Sequence, residues 1–553
     1  MTSEALSPVG TVAPRAGFPV GPVPSPGEVP RTLIDDLLEE QQCLRPLARF
    51  SRQHSNGSLP AQAKYYRDLI PLTKPPPGHQ YAFEVDLDKC SGCKACVSAC
   101  HSLNGLDEGE TWRETGLLLS DDWRHPFQQT VTTACHHCVD PACLNGCPVL
   151  AYHKDELTGI VRHLDDQCIG CQYCVMKCPY DVPKYSSRRG IVRKCDMCAS
   201  RLAAAEAPAC AQACPSEAIR IVLSPAAPKL LSEGGSSSST RSFLPCAPDP
   251  SYTLPTTIYK SSKPFPASLL AADHSDLKPS APHFPLVFML VLMQLSSGIS
   301  LASIFMGPSR QLAASATATG LVALLFASLH LGKPLKAWRA FLGWRKSWLS
   351  REVIAFSIYA PLTLLLVFNQ TPGLTSVVAL VGLLGTACSA MLYADTRREF
   401  WSPPETFGKF FGSAALLGSA FCAALAATQT HASCSLSAAV ACVVAVTFLK
   451  FGHEHRIFRY LVDEQTIGLT PLNKSALLLA GPLGMAMRIR VACGLLGGIV
   501  LPALLFLSSV PATTTYAALG WIAFALCLIG ELLERYLFFA AVAPTKMPGS
   551  VVE

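Results

Sequence analysis

Apolar residues are distributed unevenly along this chain, and their pattern divides it near residue 284. From that point onward there are long apolar runs, and a membrane-spanning helix needs about 20 such residues. The runs lie at roughly 284–306, 312–331, 352–369, 374–393, 411–429, 433–450, 490–508 and 514–540. Gly, Ala and Ser are frequent within them, as is typical where helices pack closely in a membrane. The pattern predicts an all-α membrane bundle of about eight transmembrane helices over residues 284–545.

The part of the chain before residue 284 has a mixed pattern and divides into three regions. Residues 1–80 form an N-terminal extension that begins with a Pro-, Gly- and Val-rich stretch, which predicts disorder. Within it, residues 31–54 predict a short amphipathic helix that packs on its own domain or docks a partner subunit. In residues 81–222, short strand-like segments flank cysteine-rich loops. Residues 223–283 contain a Gly/Ser-rich stretch and are expected to form a linker.

Positive charge is concentrated in alternate loops of the predicted bundle. The loops after the second, fourth and sixth apolar runs carry most of the Lys and Arg residues of this half, whereas the opposite loops carry almost only Arg310. The positive-inside rule therefore predicts an inner (plasma) membrane protein whose N-terminal domain lies on the cytoplasmic side. The same basic loops could instead form a docking face for that domain. A net charge of +6 is too small to indicate nucleic-acid binding.

The most specific chemical signal is a set of sixteen cysteines that form four groups of four. The groups are Cys90, Cys93, Cys96 and Cys100; Cys135, Cys138, Cys143 and Cys147; Cys168, Cys171, Cys174 and Cys178; and Cys195, Cys198, Cys210 and Cys214. The first and third have the spacing C-x2-C-x2-C-x3-C, which holds iron–sulfur clusters in bacterial ferredoxins. We therefore predict an α+β ferredoxin-like domain over residues 81–222 whose cysteine thiolates bind four [4Fe–4S] clusters.

Zinc and disulfides are the competing uses of cysteine, and both fit this spacing less well. Zinc sites use two separated pairs of ligands and need no third cysteine two residues further on. Disulfides form in oxidising compartments, and neither a secretory signal nor a twin-arginine pair is visible near the start of the chain.

Residues 81–220 resemble the iron–sulfur subunit of the dimethyl sulfoxide reductase family of molybdoenzymes. The stretches that carry the resemblance are CSGCKACVSACHSLNG, ACHHCVDPACLNGCP, CIGCQYCVMKCPYDVPKY and KCDMCASRLAAAEAPACAQACP. Residues 284–545 resemble the membrane anchor of the same enzymes, most specifically in HLGKPLKAWRAFLGWRKSWLSREV, from His330 to Val353. These subunits are usually separate chains, so the resemblance implies a natural fusion of the two.

The resemblance also implies how the cysteines are shared between clusters. The first group would exchange its last cysteine with the fourth group, and the second group would do the same with the third. Some relatives replace the second cysteine of the third group and hold a three-iron cluster, whereas Cys171 occupies that position here. The clusters held by the first and fourth groups are expected toward a catalytic subunit, and those held by the second and third groups toward the membrane.

His330 and Glu352 are the candidate catalytic residues of a quinol site. Quinol oxidation releases two protons, so the site needs proton acceptors at the membrane edge and near a cluster. His330 ends the second apolar run and Glu352 opens the third on the same side, and the resemblance places the quinol site at this histidine. Alternatively, His330 caps its helix and Glu352 favours a helix N-terminus.

Other ionisable residues of the membrane half are weaker candidates. Glu531 and Arg535 are four residues apart and are expected to pair on one helix face, with a structural role before one in proton transfer. The basic residues Lys333, Lys336 and Arg339 are expected to hold the quinone head group or the cluster domain, or to be solvated. No haem is expected, because the histidines lie at span ends or in loops.

The sequence contains no recognisable molybdopterin site, Rossmann fingerprint or P-loop. We therefore expect a non-catalytic electron-transfer and anchor component. It would oxidise menaquinol or ubiquinol from the membrane quinol pool and pass electrons through the four clusters to a separate molybdopterin-containing catalytic subunit. The reverse flow, from a dehydrogenase partner such as a formate dehydrogenase-like enzyme to quinone, is the alternative, and a scaffold that binds metal only to fold is a third.

Overall fold

The computed structural model describes residues 32–33, 67–71, 73–226, 243–428, 433–462, 468–507 and 514–550. The chain divides into residues 1–64 and 65–553. Of the first unit only Thr32 and Leu33 are described, so the predicted N-terminal disorder and the predicted helix over 31–54 lie outside the described residues. The Gly/Ser-rich stretch of the expected linker also lies outside them.

Two three-stranded sheets form the framework of the cysteine-rich region. In the first, β1 (His79–Asp86) lies between an antiparallel and a parallel neighbour, which are β8 (Ile219–Pro225) and β9 (Ile258–Lys260). In the second, β2 (Glu114–Ser120) lies between two antiparallel neighbours, β3 (Gln128–Thr133) and β10 (Leu269–Ala271). Five of the eight residues of β1 are buried, because this strand is central in its sheet.

Small hairpins and very short helices carry the cysteine loops. The hairpins are β4–β5 (Tyr152–Lys154 and Val161–His163) and β6–β7 (Lys184–Ser186 and Ile191–Arg193). The helices are α1 (Ala95–Asn104), α2 (Ala142–Gly146), α3 (Tyr173–Lys177), α4 (Ala199–Ala203) and α5 (Ala209–Gln212). Such short helices are not stable alone in water, so their stability depends on the groups that the cysteine loops bind.

Residues 243–271, which lie in the expected linker, differ from a free linker because they extend the folded domain. They supply the edge strands β9 and β10, and Leu244 is buried in the core that also contains Phe83 and Val131. The physical reason is that β1 and β2 would otherwise expose unpaired backbone groups along one edge.

Within the described residues, ten α-helices make up the anchor half, and they form eight segments that are long and apolar enough to cross a membrane, which confirms the predicted number. The helices are α6 (Phe284–Met306), α7 (Arg310–Leu329), α8 (Trp348–Phe368), α9 (Pro372–Ala394), α10 (Pro403–Ala426), α11 (Ser433–His455), α12 (Pro471–Ala480), α13 (Gly484–Leu495), α14 (Leu501–Leu507) and α15 (Thr514–Ala540). A π-helical turn joins α13 and α14 into one span, and α12 is too short to be one.

Small and hydroxyl-bearing residues let the helices pack closely. A Cβ atom on Gly298 of α6 would lie 2.0 Å from the carbonyl oxygen of Ala414 in α10, so only glycine fits at this crossing. The hydroxyl of Tyr359 in α8 is hydrogen-bonded to Ser296 and Ser300 of α6, at 2.9 and 2.8 Å. Both observations agree with the small-residue packing expected of membrane helices.

The C-terminal segment returns from the membrane bundle to the cluster domain. Met547 is buried in the core of that domain, and the amide of Leu117 in β2 donates to the carbonyl oxygen of Gly549. Asp273 accepts from the amide of Gly549 at 3.1 Å and pairs with Lys546 at 2.9 Å. The end of the last span and the cluster domain therefore lie on the same side of the bundle, as an even number of spans requires.

Candidate functional site

The cysteines line pockets that combine different sequence groups. One pocket is lined by Cys90, Cys93, Cys96 and Cys214. A second is lined by Cys135, Cys138, Cys143 and Cys178, and a third by Cys147, Cys168, Cys171 and Cys174. Each set takes three cysteines from one sequence group and its fourth from another, which is the exchange that the family resemblance implies. We call these the outer set, the second inner set and the membrane set.

The remaining four cysteines also gather. Helix α1, which carries Cys100, packs against α5, which carries Cys210. Burial, followed by the thiols of Cys210 and neighbouring groups that include Cys198, raises the pKa of the Cys100 thiol to about 12. Cys195 is close to Cys100 and Cys198 as well. We call Cys100, Cys195, Cys198 and Cys210 the bridging set.

The sets fit a group larger than a single metal ion. Within the described residues, no three His, Cys, Asp or Glu side chains are close enough to hold one ion, although every cysteine of the sets is described and is a free thiol. Backbone amides also point at the sulfurs, with Ala151 N to Cys147 Sγ at 3.2 Å and Ala218 N to Cys214 Sγ at 3.3 Å. Wide thiol sets with amide donors are typical of iron–sulfur cubanes.

Left-handed backbone turns shape the cysteine loops, and no pattern in the sequence predicted them. Lys94 and Gln172 precede α1 and α3 with φ of 60° and 57°, and Cys198 precedes α4 with φ of 48°. Such conformations are strained for residues other than glycine and persist only where the surroundings enforce them. They turn each loop so that its cysteines face a common centre.

The membrane set faces the anchor helices. The loop after the second span binds the cluster domain beside this set, because Lys336 Nζ and Arg339 Nη1 both donate to the carbonyl oxygen of Asp166 at 2.9 Å. The loop after the fourth span binds it too, through an ion pair between Lys177 Nζ and Asp395 Oδ2 at 2.5 Å. Basic loop residues therefore hold the cluster domain, which is one of the roles that the sequence left open for them.

His330 lies directly beneath the membrane set. It is the C-terminal capping residue of α7, but its side chain leaves the helix, and Nε2 lies 3.2 Å from the backbone oxygen of Cys171. A carbonyl oxygen only accepts, so Nε2 carries the proton and Nδ1 is left as an acceptor in the neutral ring. Burial, with His283 at a ring-centroid distance of 5.3 Å, lowers the pKa of His330 to about 4.

Glu352 is buried at the start of α8, with 3 % of its surface exposed. Its carboxyl group is hydrogen-bonded to the hydroxyl of Ser389 in α9, so its side chain does not cap its own helix. Leu331 and Val353, the residues that follow His330 and Glu352, pack against the same core around Cys147, Cys168 and Cys174. The two candidates thus approach the membrane set from adjacent spans.

Comparison with known proteins identifies both halves. Residues 127–223 match a family model described as a 4Fe-4S dicluster domain, and residues 279–541 match the DMSO reductase anchor subunit (DmsC). Over 148 residues the sequence is 38% identical to the B chain of the anaerobic dimethyl sulfoxide reductase of Escherichia coli K12, covering 25% of this chain and 72% of the relative. This chain belongs to the dimethyl sulfoxide reductase family. It is a fusion of that family's iron–sulfur and anchor subunits.

Two further relatives match the iron–sulfur half. The thiosulfate reductase electron transfer subunit PhsB of Salmonella typhi is 37% identical over 145 residues, which cover 26% of this chain and 75% of the relative. The hydrogenase-2 operon protein HybA of Escherichia coli O157:H7 is 34% identical over 172 residues, covering 26% of this chain and 52% of the relative. As a dimethyl sulfoxide reductase family fusion, the chain is a multi-pass membrane protein that carries iron–sulfur electron-transfer and anchor functions together.

The anchor half of this family fusion also holds a buried charge network. Its ionisable members, all less than 10 % exposed, are Lys409, Lys450, Glu454, Arg490, Glu531, Glu534 and Arg535. Lys450 Nζ lies 2.6 Å from Glu531, and Arg490 lies 3.0 Å from both Glu454 and Glu531. The network opens on a cavity of ≈ 220 Å³ lined by Lys409, Glu454, Arg490 and Glu534 among others.

The expected pairing of Glu531 with Arg535 is wrong. Glu531 pairs with Lys450 and Arg490 from other spans, whereas Arg535 bonds to Gln294 at 3.2 Å and lies 3.4 Å from Glu534. Helix periodicity places residues 531 and 535 on one face, but it cannot show which cations the neighbouring helices bring to that face.

Two buried cations of the cluster domain were not predicted from the sequence. Arg113 and Lys194 are 2 % and 3 % exposed. Lys194 directly precedes Cys195, which is the one signal that could have indicated it, whereas nothing in the sequence around Arg113 distinguishes it from a solvated arginine.

Proposed function

We propose that the chain oxidises a membrane quinol, menaquinol or ubiquinol, and passes its electrons through four [4Fe–4S] clusters to a separate molybdopterin-containing subunit. The observation that carries the proposal is the hydrogen bond between His330 and the backbone of Cys171, which joins the candidate quinol residue to the membrane set. The chain's similarity to reductase subunits over one half and to a reductase anchor over the other supports the same conclusion.

His330 and Glu352 offer hydrogen-bond acceptors to a quinol. Its Nδ1 atom is available to accept a hydrogen bond from one quinol hydroxyl, because Nε2 is committed to Cys171. Glu352 offers a second acceptor, and Ser389 orients its carboxyl group. The neutral His330 ring is suited to orient the quinol by this hydrogen bond, and the buried carboxyl group of Glu352 is suited to take up a proton that quinol oxidation releases.

The four cysteine sets would hold the clusters, which supply one-electron redox chemistry when bound. The chain's own contribution is to fix their order. The membrane set rests on the loops after the second and fourth spans, whereas Cys93 of the outer set is exposed. The exposed end is the face on which we place the molybdopterin-containing partner.

We place the cluster domain on the cytoplasmic side of the inner membrane. The support is the excess of Lys and Arg in the loops on that side of the bundle, although Lys336 and Arg339 also bind the cluster domain. Protease access in sealed vesicles of known orientation tests this placement, and cleavage of the cluster domain from the periplasmic face would refute it.

The quinol site is tested by the rate of cluster reduction. Full-length chain in membranes would be mixed anaerobically with a short-chain quinol, and the bleaching of cluster absorbance followed. His330→Gln and Glu352→Gln are expected to slow this step by roughly 100-fold, the usual size of an acid–base contribution, while dithionite still bleaches all clusters. His455→Gln, an exposed histidine of α11, is the matched control. Equal rates in wild type and all three variants would reject the site.

Partner and direction need separate measurements. Affinity purification of the chain from anaerobically solubilised membranes should yield a large partner that contains molybdenum. Cluster midpoint potentials above that of the native quinone would support outward flow. Potentials below it, with fast reduction of quinone by the reduced chain, would support the reverse flow instead.

A further inference from the structure

Arg113 is a buried cation that forms no ion pair with a carboxylate among the residues that the structure describes. Its Nη1 atom donates to Thr132 Oγ1 at 3.2 Å, and its guanidinium lies 4.7 Å from the centroid of the Phe83 ring. Its Nε and Nη2 atoms have no hydrogen-bond partner among the described residues. A buried charge that no opposite charge compensates is strongly destabilising, so we expect an anion to face this side chain in the assembled protein.

The anionic groups that act most strongly on Arg113 are cysteine thiolates, namely those of Cys210, Cys96, Cys195 and Cys100. Thr132 Oγ1, which binds Arg113, also lies 3.6 Å from Cys96 Sγ of the outer set. Phe83 shares its core with Cys96 and with Cys195 and Cys210 of the bridging set. Burial by itself lowers the pKa of Arg113, but these thiolates raise it above its usual range. Arg113 therefore lies between the outer and bridging sets.

Lys194 occupies the corresponding position between the bridging set and the second inner set. Its Nζ atom donates to the backbone oxygens of Cys195 and Val161 at 2.7 and 2.5 Å, and it lies 3.5 Å from Cys135 Sγ. These three acceptors match the three donors of an ammonium group. Cys195 belongs to the bridging set and Cys135 to the second inner set, so Lys194 lies between them.

A neutral residue, Tyr152, lies between the second inner set and the membrane set. Burial, followed by the thiols of Cys174 and Cys143, raises the pKa of Tyr152 well above its usual range, so its hydroxyl stays uncharged. Cys174 belongs to the membrane set and Cys143 to the second inner set. From the exposed outer set toward the membrane set, the residues that lie between successive cysteine sets are thus an arginine, a lysine and a tyrosine.

We propose that Arg113 and Lys194 are built-in counter-ions that raise the reduction potentials of the two clusters on either side of each. This inference deepens the proposed function and rests on its four clusters. A reduced cluster is one charge more negative, so a nearby fixed cation stabilises it, most strongly where water is excluded. A cation between two clusters also weakens the repulsion between electrons on them. That allows the two electrons of one quinol to occupy neighbouring clusters.

The test is an anaerobic redox titration of the full-length chain, monitored by electron paramagnetic resonance. Arg113→Gln should lower the midpoint potentials of two clusters and leave the other two unchanged. Lys194→Gln should also lower two, one of which is shared with the first variant, because the bridging set touches both cations. Arg113→Lys keeps the charge and should stay close to wild type. Arg124→Gln removes an arginine of an exposed turn and is the matched control.

Iron and sulfide contents separate the possible outcomes. If Arg113→Gln fails to assemble its clusters, Lys194→Gln still gives an independent answer. Unchanged midpoint potentials in cluster-loaded Lys194→Gln would overturn the counter-ion assignment, as would shifts spread equally over all clusters. Neither result would affect the proposed transfer of electrons through the four clusters. A wild-type chain that holds fewer than four clusters would overturn the proposed function instead.

Discussion

Gly190 of the cluster domain and Gly332 of the loop after the second span meet backbone to backbone. A Cβ atom on Gly332 would lie 2.2 Å from the carbonyl oxygen of Gly190, and one on Gly170 would lie 2.4 Å from the same oxygen. Gly170 lies two residues after Cys168 of the membrane set, and Gly332 lies two residues after His330. This backbone contact between the two halves therefore lies at the step where electrons would pass between them.

Gly332→Ala should weaken this docking without harming either half. The added methyl group has no space and forces the loop away, at a cost of about 1–3 kcal/mol. We expect slower quinol-dependent bleaching of the clusters and unchanged bleaching by dithionite. Gly373→Ala, in a helix start where a Cβ atom would meet nothing within 4 Å, should behave as wild type. Equal quinol rates in the two variants would show that the glycine contact does not set the coupling.

Glu531→Gln should destabilise the anchor by about 3 kcal/mol. Glu531 is fully buried and pairs with both Lys450 and Arg490, and removing one member of a buried pair leaves the others uncompensated. Lys450→Met in the Glu531→Gln background should recover part of the loss. The measurement is the thermal unfolding midpoint in detergent.

A surface ion pair is the control for the buried network. Lys260 lies 2.7 Å from Glu84 and is largely exposed, so Lys260→Met should change stability by less than about 1 kcal/mol. If Glu531→Gln were as mild as Lys260→Met, the buried network would not be a stabilising element, and its charges would need another explanation.

Sequence alone predicted those features that short-range patterns control. The eight spans follow from continuous apolar length, which the bilayer demands of each helix separately. The four-by-four cysteine spacing likewise indicated iron–sulfur chemistry. The assignment of Cys100, Cys147, Cys178 and Cys214 to foreign sets came from the family resemblance, because spacing contains no information about which loops meet.

The features that sequence did not predict depend on contacts between distant residues. Arg113 looks like any charged surface residue in the sequence, yet it is buried close to Cys96 and Cys195 in the folded domain. Phe243 and Leu244 belong to an apparently polar linker, yet they cover the core of the cluster domain. Met547 behaves in the same way at the other end of the chain, more than 400 residues from β2 in sequence.

Met547→Ala should loosen the cluster domain although the residue follows the last transmembrane helix. Met547 is 7 % exposed within the core of that domain, and truncation of a buried methionine costs about 2–5 kcal/mol. We expect faster loss of cluster absorbance on exposure to air. Met485→Ala removes a methionine that is 64 % exposed and should have no such effect. If both variants kept their clusters equally long, the C-terminal segment would not be part of the domain's stabilising core.

Removal of the clusters should unfold the cysteine-rich domain but spare the anchor. Helices α2, α3 and α4 have five residues each and α5 has four, far below the length at which a helix is stable in water. Buried Arg113 and Lys194 would also lose their anionic partners, which adds an uncompensated charge at two places. The anchor spans contain 20 to 27 residues and bury apolar surface without any cluster.

Chelation of the oxidised protein, followed by limited proteolysis, measures this difference between the two halves. We expect residues 79–226 to become sensitive to protease, because the loops that the clusters hold together would separate. The spans should stay protected and helical by circular dichroism, because the bilayer or detergent keeps their backbone hydrogen bonds closed. A cluster-free chain whose cysteine-rich domain resisted protease as well as the loaded protein would show that its hydrophobic core folds it unaided.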